Sequence, residues 1–113
     1  MNIQIYGKAK CFDTKKAERY FKERKIPYQF VDLSRYGMSP GVFRKVAQSI
    51  GGWKNLLDPN SKDDVTLLIR HLADPEAASG KLLAHPDRIR TPVVRNGNEA
   101  TVGYCPDRWK IWE

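Results

Sequence analysis

The alternation of apolar and polar residues predicts a strand, a helix and a second strand in the first third of the chain. Residues 2–6 (NIQIY) alternate in the manner of a short strand. Apolar side chains then recur at helical spacing over 17–26, and Pro27 ends that run. Residues 28–33 (YQFVDL) are rich in β-forming side chains and predict a second strand, with a loop at 34–38. The pattern is typical of a βαβ unit.

The middle of the chain, residues 39–85, reads as a helical insert. Ser39 is a suitable cap for a helix whose apolar stripe ends at a pair of glycines. Ser61 opens a capping-box-like start for a second amphipathic helix, which we expect to close near Asp74. A short third helix is expected within 76–84, although the glycine inside that segment disfavours it.

The last quarter predicts a hairpin and a closing helix. Residues 91–95 (TPVVR) and 100–104 (ATVGY) flank the turn sequence Asn-Gly-Asn, and Pro106 is placed to open a final helix. The predicted order is βαβ, helices, ββα. No repeat or low-complexity linker interrupts it, so residues 1–113 are expected to form one domain.

Composition narrows the class of protein. The chain has 113 residues, of which 41% are hydrophobic, enough for one core without a disulfide or a structural metal. It contains no apolar run of about 18 residues, and its first residues do not resemble a secretory signal, so a cytoplasmic protein that does not enter the membrane is expected. The two cysteines and two histidines match no metal-binding spacing, so no metal is expected.

The net charge of the chain adds little to the expected class of protein. Twenty basic and 13 acidic side chains give a formal net charge of +7, which favours anionic partners at long range. The basic residues are scattered in short groups rather than gathered in one stripe, which argues against a nucleic-acid-binding surface. Most of them are expected to lie on ordinary solvated faces.

Cys11 is the candidate reactive group. It follows the first strand and precedes the first helix, where unpaired N–H groups and the helix dipole favour a thiolate. Lys8 and Lys10 add positive charge nearby, and the hydroxyl of Thr14 lies one turn further on, whereas Asp13 opposes thiolate formation. The alternative is that Cys11 is a small buried apolar residue.

Three segments resemble a known family: YGKAKCFDTKKA (6–17), HPDRIRTPVV (85–94) and VGYCPDRW (102–109). They are similar to the active-site turn, the proline segment and the closing strand and helix of the glutaredoxin-coupled arsenate reductases (ArsC) and of the related Spx-type regulators. The resemblance extends over essentially the whole chain. It implies an α/β, thioredoxin-like fold (βαβ, helical insert, ββα) with a four-stranded mixed sheet, and a cis Thr91-Pro92 peptide.

The chain departs from the arsenate reductase pattern at the three arginines that hold the oxyanion. Those positions fall at or near Asp58 and at Thr91 and Cys105, none of which offers a guanidinium, so arsenate reduction is not expected. One of Arg88, Arg90 and Arg95 could substitute, but alternation along a strand allows only some of them to face the pocket. The predicted substrate- or thiol-binding residues are Lys8, Lys10, Thr14, Arg90, Thr91, Pro92 and Arg95.

The resemblance implies a thiol-dependent oxidoreductase in which Cys11 attacks a small oxidised thiol or oxyanion. Cys105 or glutathione would act as the resolving thiol, glutaredoxin is a candidate donor, and no bound cofactor is expected. Cys105 could instead simply fill space before the last helix. Two further alternatives stay open: a non-enzymatic Spx-like regulator that binds RNA polymerase, and an arsenate reductase homologue that has lost catalysis.

Overall fold

The computed structural model describes all 113 residues and contains one four-stranded sheet. Its strands, in spatial order, are β2 (Tyr28–Asp32), β1 (Ile3–Gly7), β3 (Val93–Asn96) and β4 (Glu99–Val102). β1 pairs in parallel with β2 and antiparallel with β3, and β3 pairs antiparallel with β4. The predicted mixed sheet and its order along the chain are confirmed.

Six α-helices accompany the sheet. They are α1 (Phe12–Glu23), α2 (Leu33–Tyr36), α3 (Pro40–Ser49), α4 (Asp64–His71), α5 (Pro75–Ala84) and α6 (Pro106–Trp112), with 3₁₀ turns at Trp53–Leu56 and Pro86–Arg88. The longest has 12 residues, and none combines the length and apolar character needed to cross a bilayer.

Three local predictions are wrong. The segment 34–38, expected as a loop, contains most of α2, because the Asp32 carboxylate accepts a hydrogen bond from the N–H of Ser34 and caps a helical turn. Asp63 rather than Ser61 caps α4, since its carboxylate accepts from Thr66 N at 2.8 Å. That helix ends at His71, and Asp74 instead caps α5, where its carboxylate accepts from Glu76 N.

Strand alternation divides the core into two clusters, one on each face of the sheet. Ile3 and Ile5 point to the face that α1 and α6 cover, where Phe21 and Trp109 are fully buried. Tyr6 points to the opposite face, which α2 to α5 cover. Each large apolar side chain buried this way contributes about 1.5–3 kcal/mol to folding. The sheet is therefore held between two helical layers, and the carboxyl end of β1 opens at the edge of both.

Candidate active site

Cys11 stands at the junction of β1 and α1. The turn from Gly7 to Lys10 leads the chain out of the sheet and is closed by a hydrogen bond from Cys11 N to Lys8 O at 3.0 Å. Cys11 is the N-cap residue of α1, with extended backbone angles, and its side chain is half-buried. The sulfur therefore lies beside the free N–H groups and the positive end of the helix.

Hydrogen bonds around the sulfur favour the thiolate. Burial raises the pKa of Cys11, but the hydroxyls of Thr14 and Thr91 and the N–H groups of Thr14 and Asp13 lower it by more, so the net pKa is below that of an ordinary thiol. In the protonated form, Sγ donates to the carbonyl oxygen of Thr91 at 3.6 Å. Asp13, predicted to oppose the thiolate, thus contributes a favourable N–H.

Thr14 is fixed in place by its surroundings. It is 1% exposed, and its Oγ1 accepts a hydrogen bond from Lys8 N at 3.5 Å, which leaves its proton free for the sulfur. Gly7 lies directly behind it: a Cβ at Gly7 would come within 2.3 Å of the Thr14 methyl and 2.8 Å of its hydroxyl. Position 7 therefore has no room for a side chain while Thr14 keeps this orientation.

The loop before β3 brings Thr91 and Pro92 to Cys11. The Thr91-Pro92 peptide is cis, as the resemblance implied. Arg90 N donates to Leu56 O at 2.7 Å on one side of the loop, and Gly103 N donates to Pro92 O at 2.8 Å on the other. These backbone bonds hold the Thr91 carbonyl and hydroxyl against the sulfur.

Lys8 supports the same loop rather than reaching toward the sulfur. Its Nζ donates to the backbone carbonyl oxygens of Asp87 and Ile89. Burial lowers the pKa of Lys8, although the charges of Asp58, Asp87 and Cys11 act in the opposite direction. Lys10, also predicted to bind substrate, is exposed on the turn and forms no hydrogen bond or ion pair.

The predicted arginine substitutes do not gather around Cys11. Arg88 forms ion pairs with Asp63 and Asp87. Arg95 donates to Gln4 Oε1 at 2.9 Å and lies four residues along the chain from Thr91, which is about 13 Å in an extended strand. Arg90 lies across Gly103, where its guanidinium would meet any added Cβ at 3.0 Å. Arg95 is thus not part of the thiol site.

The three oxyanion positions hold no cation that faces the sulfur. Asp58 is half-buried, accepts from Asn60 N at 2.9 Å, and places a negative charge beside Lys8. Thr91 supplies one hydroxyl and one carbonyl. This arrangement offers neutral donors to a thiolate but no multivalent clamp for arsenate.

Cys105 occupies a different environment. It is half-buried at the N-cap of α6, packs against the cluster that contains Trp109, and directs Sγ to Val102 O at 3.3 Å. Burial raises its pKa, and the charge of Arg90 and a hydrogen bond from Thr101 offset only part of that effect. Both cysteines are free thiols, and no group of three metal-ligating side chains is present.

Comparisons with known proteins agree with this geometry. No family model matches the chain. It is 27% identical over 112 residues to global transcriptional regulator Spx 2 of Oceanobacillus iheyensis, covering 95% of this chain and 80% of that protein. Among solved structures, the YffB protein superposes with a TM-score of 0.82 at 26% identity, covering 97% of both chains. An arsenate reductase from Vibrio cholerae superposes with a TM-score of 0.83 at 18% identity, covering 96% of this chain and 94% of that one.

The chain has the arsenate reductase fold. The family resemblance of the sequence is therefore confirmed at the level of the fold. Within it, four of the predicted site residues come together: Cys11, Thr14, Thr91 and Pro92. Lys8 supports their loop from behind, whereas Arg90 lies across Gly103, Arg95 donates to Gln4, and Lys10 is exposed on the turn.

Two exposed aromatic side chains beside Lys16 of α1 were not predicted from the sequence. Phe12, the residue after Cys11, is 73% exposed, and Tyr104 is 43% exposed. The signal for Phe12 is present in the chain, because it falls off the buried helical stripe that runs through Ala17 and Phe21. Tyr104 has no such signal, since only the folded structure brings it to α1.

Proposed function

We propose that the protein is a thiol–disulfide oxidoreductase in which Cys11 is the nucleophile. The observation that carries the proposal is the set of donors around Sγ: two hydroxyls and two N–H groups that lower the pKa of Cys11 in spite of burial. A thiolate of this kind needs no metal and no bound cofactor to attack a disulfide. The arsenate reductase fold supports the same broad class of chemistry.

The reaction proceeds in two exchanges. The Cys11 thiolate attacks one sulfur of a mixed disulfide, forming a new S–S bond and releasing the other half as a thiolate. A second thiol then attacks the Cys11-bound disulfide, takes the attached group as a new disulfide and regenerates the Cys11 thiolate. In sum, one incoming thiol and the mixed disulfide become one released thiol and one new disulfide, and Cys11 returns unchanged.

Glutathione is the resolving thiol that the site favours. Thr14 occupies the place where a Cys-x-x-Cys motif would carry its second thiol. Burial raises the pKa of Cys105, which keeps the thiol protonated and weakens it as a nucleophile. A mixed disulfide with glutathione is therefore the preferred substrate class, and glutaredoxin is a candidate alternative donor.

Arsenate is a poor candidate substrate. Lys8 is close enough to Cys11 for their charges to interact, but its ammonium already donates to two carbonyl oxygens. Asp58 adds a repulsive charge close by. We therefore propose that the chain keeps the thiol chemistry of the fold without the oxyanion clamp.

The test uses a peptide whose cysteine is joined to glutathione as a mixed disulfide. Reduced glutathione is the donor, and glutathione reductase with NADPH reports the glutathione disulfide formed. We expect turnover by wild type and by Cys105→Ser, with a Cys11–glutathione adduct detected by mass spectrometry after acid quenching. Exchange no faster than the uncatalysed reaction, with no adduct at Cys11, would contradict the proposal.

A non-enzymatic regulator is the second candidate, and the similarity to Spx 2 favours it. Its partner would be RNA polymerase, and binding would not require a reactive thiol. Purified polymerase from Oceanobacillus iheyensis should then bind wild type and Cys11→Ser equally in biolayer interferometry. Binding together with absent thiol turnover would replace the enzyme proposal, whereas a protein that neither binds nor turns over would be a homologue without catalysis.

A further inference from the structure

An exposed patch begins at Phe12, the residue after Cys11, and takes no part in the chemistry described above. It consists of Phe12, Lys16, Arg19 and Tyr104, which we call the aromatic–cationic face. The Nζ of Lys16 lies 5.2 Å from the ring centroid of Phe12 and 5.5 Å from that of Tyr104. Two exposed aromatic rings therefore flank one ammonium, and one of the rings belongs to the residue that follows the thiol.

The spacing of the face follows from α1. Phe12, Lys16 and Arg19 are separated by four and three residues, so they line one side of the helix over about 10 Å, and the stripe through Ala17 and Phe21 is buried on the other. Tyr104 is anchored beside them by an edge-to-face contact with buried Trp109, at a centroid distance of 5.5 Å. The face is therefore held on rigid elements.

The charges of the face are not neutralised within the chain. Lys16 and Arg19 form no ion pair. Together with Tyr104 they line a cleft of about 330 Å³, whose other cation, Arg24, is paired with Glu113 and stacked on Tyr20. Glu23 is the acid in that cleft. Positive potential therefore exceeds negative along this side of α1.

We propose that the aromatic–cationic face docks an acidic protein segment whose disulfide reacts with Cys11; this rests on the proposed function. The segment would place carboxylates on Lys16 and Arg19 and an apolar side chain on Phe12. The Cys11 thiolate then forms a bond to one sulfur of the partner, and the partner's S–S bond breaks to release its other sulfur as a thiolate. A small anionic thiol could satisfy the charges, but it has little apolar surface to cover two aromatic rings.

The experiment measures how fast Cys11 reacts with peptides that carry a cysteine–thiopyridine mixed disulfide and one leucine, flanked by glutamates, glutamines or lysines. Release of thiopyridone reports the rate. All measurements are made in a Cys105→Ser protein, so that Cys11 is the one thiol that reacts. We expect the glutamate peptide to react about tenfold faster than the lysine peptide, with the advantage falling as salt is added.

Two double variants of equal net charge separate the local face from the overall charge. Lys16→Glu/Arg19→Glu changes the face, whereas Lys45→Glu/Lys81→Glu changes exposed residues of α3 and α5. The first should abolish the preference for glutamate, and the second should retain most of it. Phe12→Ala should lower the reaction rates of all three peptides several-fold, because each carries the leucine, without changing the order of those rates.

Iodoacetamide, which is neutral and small, is the control for intrinsic reactivity. Slow alkylation of Cys11 in wild type would mean that the proposed function itself fails. Fast alkylation in every variant, combined with equal peptide rates or an equal loss in both double variants, would overturn the docking surface alone. If Lys16→Glu/Arg19→Glu slows the reaction with glutathione disulfide but with none of the peptides, the proposal of a protein partner is also overturned.

Discussion

Cys11 and Cys105 occupy equivalent positions in the chain yet differ in chemistry. Both are half-buried free thiols, and each is the N-cap residue of a helix without a side-chain capping bond. The pKa of Cys11 is lowered, whereas the pKa of Cys105 is raised. Burial acts in the same direction on both, so the difference arises from hydrogen bonding.

The partners of the two sulfurs account for that difference. Around Cys11, the hydroxyls of Thr14 and Thr91 act as donors to a negative sulfur. Around Cys105, the charge of Arg90 and a hydrogen bond from Thr101 lower the pKa, but they offset only part of the rise that burial causes. A cysteine before a helix is thus activated only where side chains and backbone N–H groups converge on its sulfur.

Replacing each cysteine in turn has the largest expected effect. Cys11→Ser should reduce disulfide exchange to the uncatalysed rate, because a serine hydroxyl is not ionised at neutral pH and cannot form the mixed disulfide. Cys105→Ser should keep turnover within about twofold of wild type, since no step is assigned to it. Steady-state rates with the glutathione mixed disulfide check both, and a loss of turnover in Cys105→Ser would restore it as the resolving thiol.

Thr14→Val tests the donor that most lowers the pKa of Cys11. Valine keeps the buried shape but removes the hydroxyl, so the pKa of Cys11 should rise and the alkylation rate at neutral pH should fall several-fold. The lost acceptor for Lys8 N should also cost about 1–3 kcal/mol of unfolding free energy. Thr14→Ser, which keeps the hydroxyl, is the matched control, and equal alkylation profiles for both variants would contradict this role.

Gly7→Ala tests whether the position of the Thr14 hydroxyl depends on the space left at residue 7. The added methyl would meet Thr14 at a distance that side chains do not tolerate, so Thr14 must shift away from the sulfur. We expect about 1–3 kcal/mol of destabilisation from overpacking, together with a smaller rise in the pKa of Cys11 than Thr14→Val causes. Urea unfolding and alkylation on the same sample measure both, and Gly41→Ala, where open space surrounds the new methyl, is the control for a glycine-to-alanine change that meets no neighbour. A Gly7→Ala protein with the wild-type alkylation profile would show that Thr14 does not depend on this contact.

Arg90→Gln has the smallest expected effect and falls on the other cysteine. The charge of Arg90 lowers the pKa of Cys105, so its removal should raise that pKa slightly and leave Cys11 unchanged. Because Arg90 is exposed, the change should shrink at high salt. A shift in the Cys11 profile instead would place Arg90 in the thiol pocket, as the sequence analysis predicted.

The sequence predicted the strands, the order of elements and the reactive cysteine because each depends on local pattern. Alternation around Ile3 and Ile5 defines β1, and the position of Cys11 after it follows directly. Helix starts were less predictable, since Ser61 and Asp63 both have capping side chains and only the fold selects Asp63. The helical turn of α2 was missed because four residues carry too little periodicity.

The site was predictable only in part, because its members come from separate segments. Thr14 follows from helical spacing, but the approach of Thr91 depends on how the loop before β3 meets α1. Lys8 and Arg95 illustrate the limit: proximity in sequence or a shared strand does not tell which way a long side chain turns. Tyr104 reaches α1 only through the packing of Trp109.

The most direct test of the difference between the two thiols is the pH dependence of their alkylation in a single wild-type sample. Iodoacetamide labelling at short times, read by peptide mass spectrometry, gives a titration curve for each cysteine. Since only the thiolate reacts, the Cys11 curve should rise at a lower pH than that of a free cysteine, whose pKa is about 8.5, and the Cys105 curve at a higher pH. Coincident curves, or a Cys11 curve at or above that of free cysteine, would contradict the assignment of Cys11 as the activated nucleophile.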